Sequence, residues 1–187
     1  MEHEAADLVR AQGREPSTSE ILIKKYIHWR GNPQDAARDM FGEPFTEQQL
    51  PLAEAVFLPL GEGGHKRLIV KSGNGTGKTN FLAKTLLLWD ALRPGYCVST
   101  APTWPQVQTK LWAEVARIRK KARFPLGGKF LPDSCQIKHG EYWRAHGVST
   151  NDESNISGGH SGNVLALVDE GQGVSQNIYD GIEGMMA

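Results

Sequence analysis

The chain has little cysteine, no long apolar run and no excess of either charge, and each shortage removes a class of protein. Its two cysteines, Cys97 and Cys135, lack the spacing of metal ligands and cannot form the disulfide framework of a small secreted domain. They read as ordinary free thiols in a reducing cytosol. No apolar stretch approaches the roughly 20 residues that span a bilayer. Met1-Glu2-His3-Glu4 is too polar and acidic to open a signal peptide, so no membrane is expected among the partners. Lys plus Arg equal Asp plus Glu at 21 each, but this balance hides an uneven distribution. Nine Lys and Arg lie between Lys110 and Arg144 against Glu114, Asp133 and Glu141; from Ala145 onward there are six carboxylates and no Lys or Arg. The basic middle suits nucleic acid, a neighbouring subunit's phosphates or simply a solvated helix face, and the acidic end suits a metal–nucleotide site.

What the chain does have is Ser72-Gly73-Asn74-Gly75-Thr76-Gly77-Lys78-Thr79. It follows the apolar Leu68-Ile69-Val70, expected to be a strand, and opens onto a helical stretch beginning near Phe81. Strand, glycine-rich turn, Gly-Lys-Thr and helix form the layout of a phosphate-binding loop. Backbone N–H groups curl around an anion there, and the helix N-terminus adds its positive dipole end. In this layout Lys78 reaches the β- and γ-phosphates and the Thr79 hydroxyl ligates Mg2+. Ser72 stands where the usual pattern has its first glycine; a small Ser can still turn there.

Around this loop the pattern predicts alternating helices and strands. Residues 1–50 read as a small N-terminal helical arm, with helices over Ser19–Trp29, from Asn32 to Phe41, and from Thr46 to about Leu58. Residues 51–187 read as the core. Tyr96–Thr100 is a second buried strand after the Arg93-Pro94-Gly95 turn. Trp104–Phe124 is a long amphipathic helix with Val107, Leu111, Val115 and Ile118 on one face. Cys135–Lys138 and Tyr142–His146 read as short strands about a bend at Gly140-Glu141. Val164–Val168 is the strongest buried strand and runs straight into Asp169-Glu170. The alternation predicts an α/β fold with a mostly parallel sheet flanked by helices.

Asp-Glu after an apolar strand, some ninety residues beyond Gly-Lys-Thr, is the second half of a nucleotide site. In a parallel sheet both motifs fall at the carboxyl ends of strands, where ligands bind. Asp169 is placed to hold Mg2+ and Glu170 to polarise an attacking water. A second carboxylate after the metal-binding Asp favours hydrolysis over transfer, which disfavours a small-molecule kinase.

Three segments make the sequence specific: the phosphate loop, Ala101-Pro102-Thr103-Trp104-Pro105-Gln106-Val107, and Gly158-Gly159-His160-Ser161-Gly162-Asn163 leading into Asp169-Glu170-Gly171-Gln172-Gly173-Val174. Together they resemble the large terminase subunit of tailed bacteriophages, over roughly residues 26 to 187. The resemblance implies a P-loop NTPase fold of the helicase-like, additional-strand catalytic Glu type. It implies a DNA-packaging motor that uses Mg-ATP to drive double-stranded DNA into a procapsid. A homo-oligomeric ring on the procapsid portal, a small terminase subunit as partner and the host cytoplasm as setting follow from the same likeness. Lys78, Thr79, Asp169 and Glu170 match residue for residue, and Gln48 or Gln49 matches the family's adenine-side Gln in position. The chain departs from the family in offering only Lys71 beside the loop, where relatives often carry Arg, and His160 near the place of another Arg. The arginine finger is unassigned, with Arg144, Arg117 and Arg123 as candidates. The family's coupling motif and nuclease are not within these residues, so the chain reads as an ATPase portion without nuclease activity. Two alternatives stay open: another helicase-like DNA-dependent ATPase, or a fragment that binds nucleotide without turnover.

Overall fold

A computed structural model of the protein describes residues 17–59, 64, 67–73, 75–149 and 162–186. Ser17 opens α1 (Thr18–Gly31) with a capping box: its hydroxyl accepts from the Glu20 N–H, and the Glu20 carboxylate accepts from the Ser17 N–H. α2 (Pro33–Phe41) carries its proline in the first turn, where no N–H is needed, and stops at Gly42. α3 spans Leu50–Phe57 with Gln49 as its N-cap, three residues later than the Thr46 cap predicts. Pro51 is the reason: it has no N–H to give a helix interior and is tolerated only in the first turn. Residues 47–49 therefore form a turn ahead of the helix. These three helices share the main core. Trp29, Ala36, Ala37, Met40, Phe41, Phe45, Ala53 and Phe57 pack in one cluster with Phe81, Leu86, Leu87 and Leu88.

α4 (Lys78–Leu92), the helix leaving the glycine loop, is buried on nearly all sides, as its Phe81–Leu88 run requires. β1 (Tyr96–Ala101) follows and is buried along its whole length. α5 is continuous over 104–121. It begins with an α-helical turn, Trp104–Gln106, capped by the Thr103 hydroxyl, passes through a π-helical stretch, Val107–Trp112, and ends as α-helix over Ala113–Lys121. β2 (Lys129–Leu131), β3 (Gln136–Lys138), β4 (Arg144–Ser149) and β5 (Val164–Val168) complete a sheet of order β2-β3-β4-β1-β5. α6 (Gln176–Met186) closes the described chain.

Both faces of the sheet are covered. Cys97, Ala101, Ala145 and Leu167 face the main core with α4 and α5, whereas Tyr96, Val98 and Val148 face Val174, Ile178, Ile182 and Met185. Successive β1 residues thus serve opposite layers, which is why the strand is buried throughout, its Ser99 and Thr100 hydroxyls included.

The sheet is mixed rather than mostly parallel. β4, β1 and β5 run parallel, but β2–β3 and β3–β4 pair antiparallel. The connections within 129–149 are too short for crossovers and permit only hairpins. Leu68-Ile69-Val70 is not a strand: it is extended and solvent-facing, with Ile69 99% exposed. β1 is the only described strand paired with β5, and no described strand pairs with residues 67–73. An apolar run without a hydrogen-bonding neighbour does not become a strand. β2, three residues between the Gly127-Gly128 and Pro132-Asp133 loop signals, escapes sequence reading. α6 escapes it because Gly181 and Gly184 are poor helix formers; its Ile178, Ile182 and Met185, spaced four and three apart, bury it nonetheless. Among the described residues no helix is long and apolar enough to cross a membrane.

Candidate active site

The glycine loop meets α4 at Gly77, the N-cap residue, in the left-handed conformation with φ 81°. Gly75 is also left-handed, whereas Ser72 and Gly73 are not among the positive-φ residues. Glycine is thus required at 75 and 77, and Ser72 can stand in the first position without strain. Its hydroxyl contributes instead, lying 3.0 Å from the Thr76 hydroxyl, which also donates to the Gly73 carbonyl at 3.0 Å. The Lys78 ammonium donates to the carbonyls of Ser72 at 3.1 Å and Gly73 at 2.7 Å, folding back over the loop it follows. Thr79 lies next on the first turn of α4, partly buried. Asn74, His160 and the rest of the Gly158–Ser161 segment lie outside the described residues.

Asp169 and Glu170 sit at the carboxyl end of β5, beside that of β1: the Asp169 N–H donates to the Thr100 carbonyl at 2.9 Å. Asp169 is 7% exposed, and its Oδ1 accepts from the Glu170 N–H at 3.0 Å. Burial first and the neighbouring Glu170 charge second hold its carboxyl above the usual aspartate range, against the opposing pull of Lys110 and Lys78. Lys78 is the weakest of the charges that reach Asp169.

Glu170 adopts a left-handed backbone, φ 51° and ψ 44°, which a non-glycine residue takes only when its surroundings impose it. Here a 3-10 turn, Gly171–Gly173, follows directly, with Gly173 N–H donating to the Glu170 carbonyl. The side chain is held from α5: Gln106 Nε2 donates to it at 2.7 Å and the Lys110 ammonium lies 3.2 Å away. Sequence reading passed over Gln106 and Lys110. Their spacing of four, on the helix leaving the Ala-Pro-Thr turn next to β5, was the available signal. Lys110 sits in the π-helical stretch, a distortion frequently found at functional sites.

Gln49 is brought to the loop, where its side chain bonds within the protein. It is 6% exposed, and both ends of its amide are bonded within the protein, one of them to Gly77. The arginine-finger candidates are likewise engaged. Arg117 is clamped between Glu43 and Glu114, and Arg144 lies over the Tyr96 ring, 5.1 Å from its centre. Arg123 is exposed, with its guanidinium against Gly42.

Mg2+ suits the donor set. Among the described residues no group of three or more His, Cys, Asp or Glu forms a metal cage. Mg2+ does not need one, because it is usually held by one or two protein oxygens together with phosphates and water. Asp169 is also partly desolvated beside a second carboxylate, a penalty that a bound cation would relieve. That penalty makes a prediction. Because its folded pKa is raised, Asp169 stabilises the fold most below its unfolded pKa and loses that contribution as pH rises through the folded value. Asp169→Asn keeps the Oδ1 acceptor but carries no charge. It should therefore raise the melting temperature at pH 7 without nucleotide or metal, by a few degrees at the 2–4 °C per kcal/mol of a domain this size. The gain should vanish below about pH 4, where wild-type Asp169 is also neutral; a thermal-melt series across pH checks it.

Compared with known proteins, the chain matches no family model, no curated protein and no solved structure.

Proposed function

We propose that this chain is the ATPase portion of a DNA-translocating motor of the terminase kind, hydrolysing Mg-ATP between the glycine loop and Asp169-Glu170. The observation that carries the reading is that Asp169-Glu170 end β5 at its carboxyl edge beside β1, with the Lys78 charge among those that reach Asp169. A triphosphate entering the loop would replace the Ser72 and Gly73 carbonyls as acceptors for the Lys78 ammonium, exchanging neutral acceptors for charged ones. Thr79 and Asp169 would hold Mg2+, which when bound neutralises phosphate charge. Glu170 would orient water for attack on the γ-phosphorus, once its carboxylate exchanges Gln106 and Lys110 for that water.

Double-stranded DNA is the proposed mechanical substrate, held through phosphates without sequence readout. Of the nine cations in the basic middle, Arg117, Arg119, Arg144 and Lys110 already have protein partners. Lys120, Lys121, Arg123, Lys129 and Lys138 are exposed. Lys129 and Lys138 stand directly opposite each other on β2 and β3, a like-charge pair that weakens a sheet unless an anion bridges it. Replacing both by Ala should weaken double-stranded DNA binding equally for unrelated sequences. It should also flatten the plot of log affinity against log salt by about two ion equivalents. DNA-stimulated phosphate release, titrated at two salt concentrations, tests the motor reading. Stimulation that is sequence-independent and salt-sensitive supports it; turnover indifferent to DNA contradicts it.

A second reading has its own observation. Leu68–Val70 stands outside the sheet and the Glu170 carboxylate is taken up by Gln106 and Lys110, an arrangement suited to a module that binds nucleotide without turning it over.

A further inference from the structure

Lys84 has no role in the site described so far, yet it is the most deeply buried cation of the central helix, 2% exposed. It lies two turns into α4, between the apolar Phe81–Ala83 and Leu86–Leu88 with only Thr85 as a polar neighbour. Its ammonium donates to the Pro44 carbonyl at 3.0 Å and to Gln49 Oε1 at 3.3 Å, and stands 4.8 Å from the centre of the Phe45 ring. Burial pulls its pKa down, while Glu43 and Glu114 push it up and Arg117 opposes them. A buried ammonium persists only where acceptors compensate its lost hydration, so the Pro44 carbonyl and the Gln49 amide are what keep it there.

Gln49 passes the connection on. Its Oε1 accepts from Lys84 and from the Thr46 N–H at 3.2 Å, which leaves Nε2 as the donor to the Gly77 carbonyl at 3.1 Å. The opposite amide orientation would set oxygen against oxygen at Gly77 and NH2 against the ammonium, so the network fixes it. Gly77 is the left-handed residue on which the loop turns into α4, and its carbonyl also accepts the first helical bond, from the Phe81 N–H at 2.9 Å. A Cβ on Gly77 would come within 3.0 Å of Gln49 Nε2, so the amide packs directly on the turn. The far end is anchored too: the Gln34 side chain bonds both the N–H and the carbonyl of Phe45, at 2.8 and 3.0 Å.

We infer that Lys84 and Gln49 are positioning residues: a relay from the Pro44-Phe45 turn through Lys84 and Gln49 to the Gly77 carbonyl sets the shape of the phosphate loop, and Gln49 does not read the base. This rests on the phosphate-loop reading of residues 72–79. It predicts that breaking the relay weakens the polyphosphate part of any ligand, whatever base is attached.

The test is equilibrium binding of Mg-ATP, Mg-GTP and Mg-tripolyphosphate to wild type, Gln49→Ala, Gln49→Glu, Lys84→Met and Lys78→Ala, with a thermal melt of each. Gln49→Glu is the informative variant. It keeps the acceptor for Lys84, and adds an ion pair to it, but turns an oxygen toward the Gly77 carbonyl. The relay predicts that Gln49→Glu melts within a few degrees of wild type yet binds all three ligands about tenfold more weakly, the factor one positioning hydrogen bond is worth. Gln49→Ala and Lys84→Met should weaken the three by a common factor. Loss confined to ATP, with GTP and tripolyphosphate unchanged, would assign Gln49 to the adenine and overturn the proposal. So would unchanged binding of all three by Gln49→Glu. A wild type that binds none of the three, or none better than Lys78→Ala does, would overturn the phosphate-loop reading itself and the relay with it.

Discussion

Glu170→Gln should slow phosphate release at saturating Mg-ATP by at least about a hundredfold, the lower end of what a positioned general base contributes. ATP affinity should stay within about threefold, because the residue contributes to turnover rather than to holding phosphates. The substitution replaces one carboxylate oxygen by NH2 and leaves the length and shape of the side chain unchanged. Gln106 can still reach the remaining oxygen, so the left-handed turn at residue 170 keeps its support from α5. What is removed is the charge that draws a proton from water. Single-turnover phosphate release alongside equilibrium ATP binding separates the two effects. Equal turnover in wild type and variant would mean that the contact with Gln106 and Lys110 is the whole purpose of this carboxylate, and hydrolysis would need another base.

The second large effect is on folding. Trp29→Ala should cost about 3–5 kcal/mol, as truncation of a fully buried aromatic does, and lower the melting temperature by roughly 6–20 °C in a domain of this size. Trp29 is 0% exposed. It meets Tyr26 and Phe124 edge-on at 5.5 and 5.1 Å, and its indole N–H donates to Asp39 at 3.1 Å. Phe124 lies just beyond α5, so Trp29 ties the N-terminal helices to the body of the core. Trp29→Phe, which keeps most of the apolar area and loses only the N–H, should recover most of the loss. An unchanged melt for Trp29→Ala would mean that α1 and α2 are a detachable arm, contrary to the packing.

Much of this was legible in the sequence, for identifiable reasons. β5 is written as an unbroken apolar run, and β1, buried along its length, as an apolar run that ends in the small polar Ser99 and Thr100. α1 and α2 carry their start and stop signals in Ser17, Pro33 and Gly42. The loop glycines at 75 and 77 mark the two places where only glycine is comfortable. Leu68–Val70 shows the limit: apolar residues declare a tendency to be buried, but a strand also needs a neighbour to bond, and that information lies elsewhere in the chain. The mostly parallel sheet was an over-reading because the helix–strand alternation was weighted over the short bend at Gly140-Glu141, whose strands pair antiparallel. At the candidate site, Lys78, Asp169 and Glu170 stand out in the sequence because their motifs are contiguous. Gln106, Lys110 and Lys84 were missed because their roles come from which elements pack together. For Gln49, position in the sequence brought it to the loop, and only the geometry of its amide shows that it bonds Gly77.

The central claim is that the glycine loop and Asp169-Glu170 form one hydrolytic site, and the direct measurement is phosphate release from Mg-ATP by wild type and Lys78→Ala, with and without double-stranded DNA. The account predicts turnover by wild type, faster with DNA, and at least a hundredfold less for Lys78→Ala, the scale on which one preorganised electrostatic contact to a transition state acts. Wild type that binds ATP yet releases no phosphate under either condition, or Lys78→Ala that releases it as fast as wild type, would contradict it.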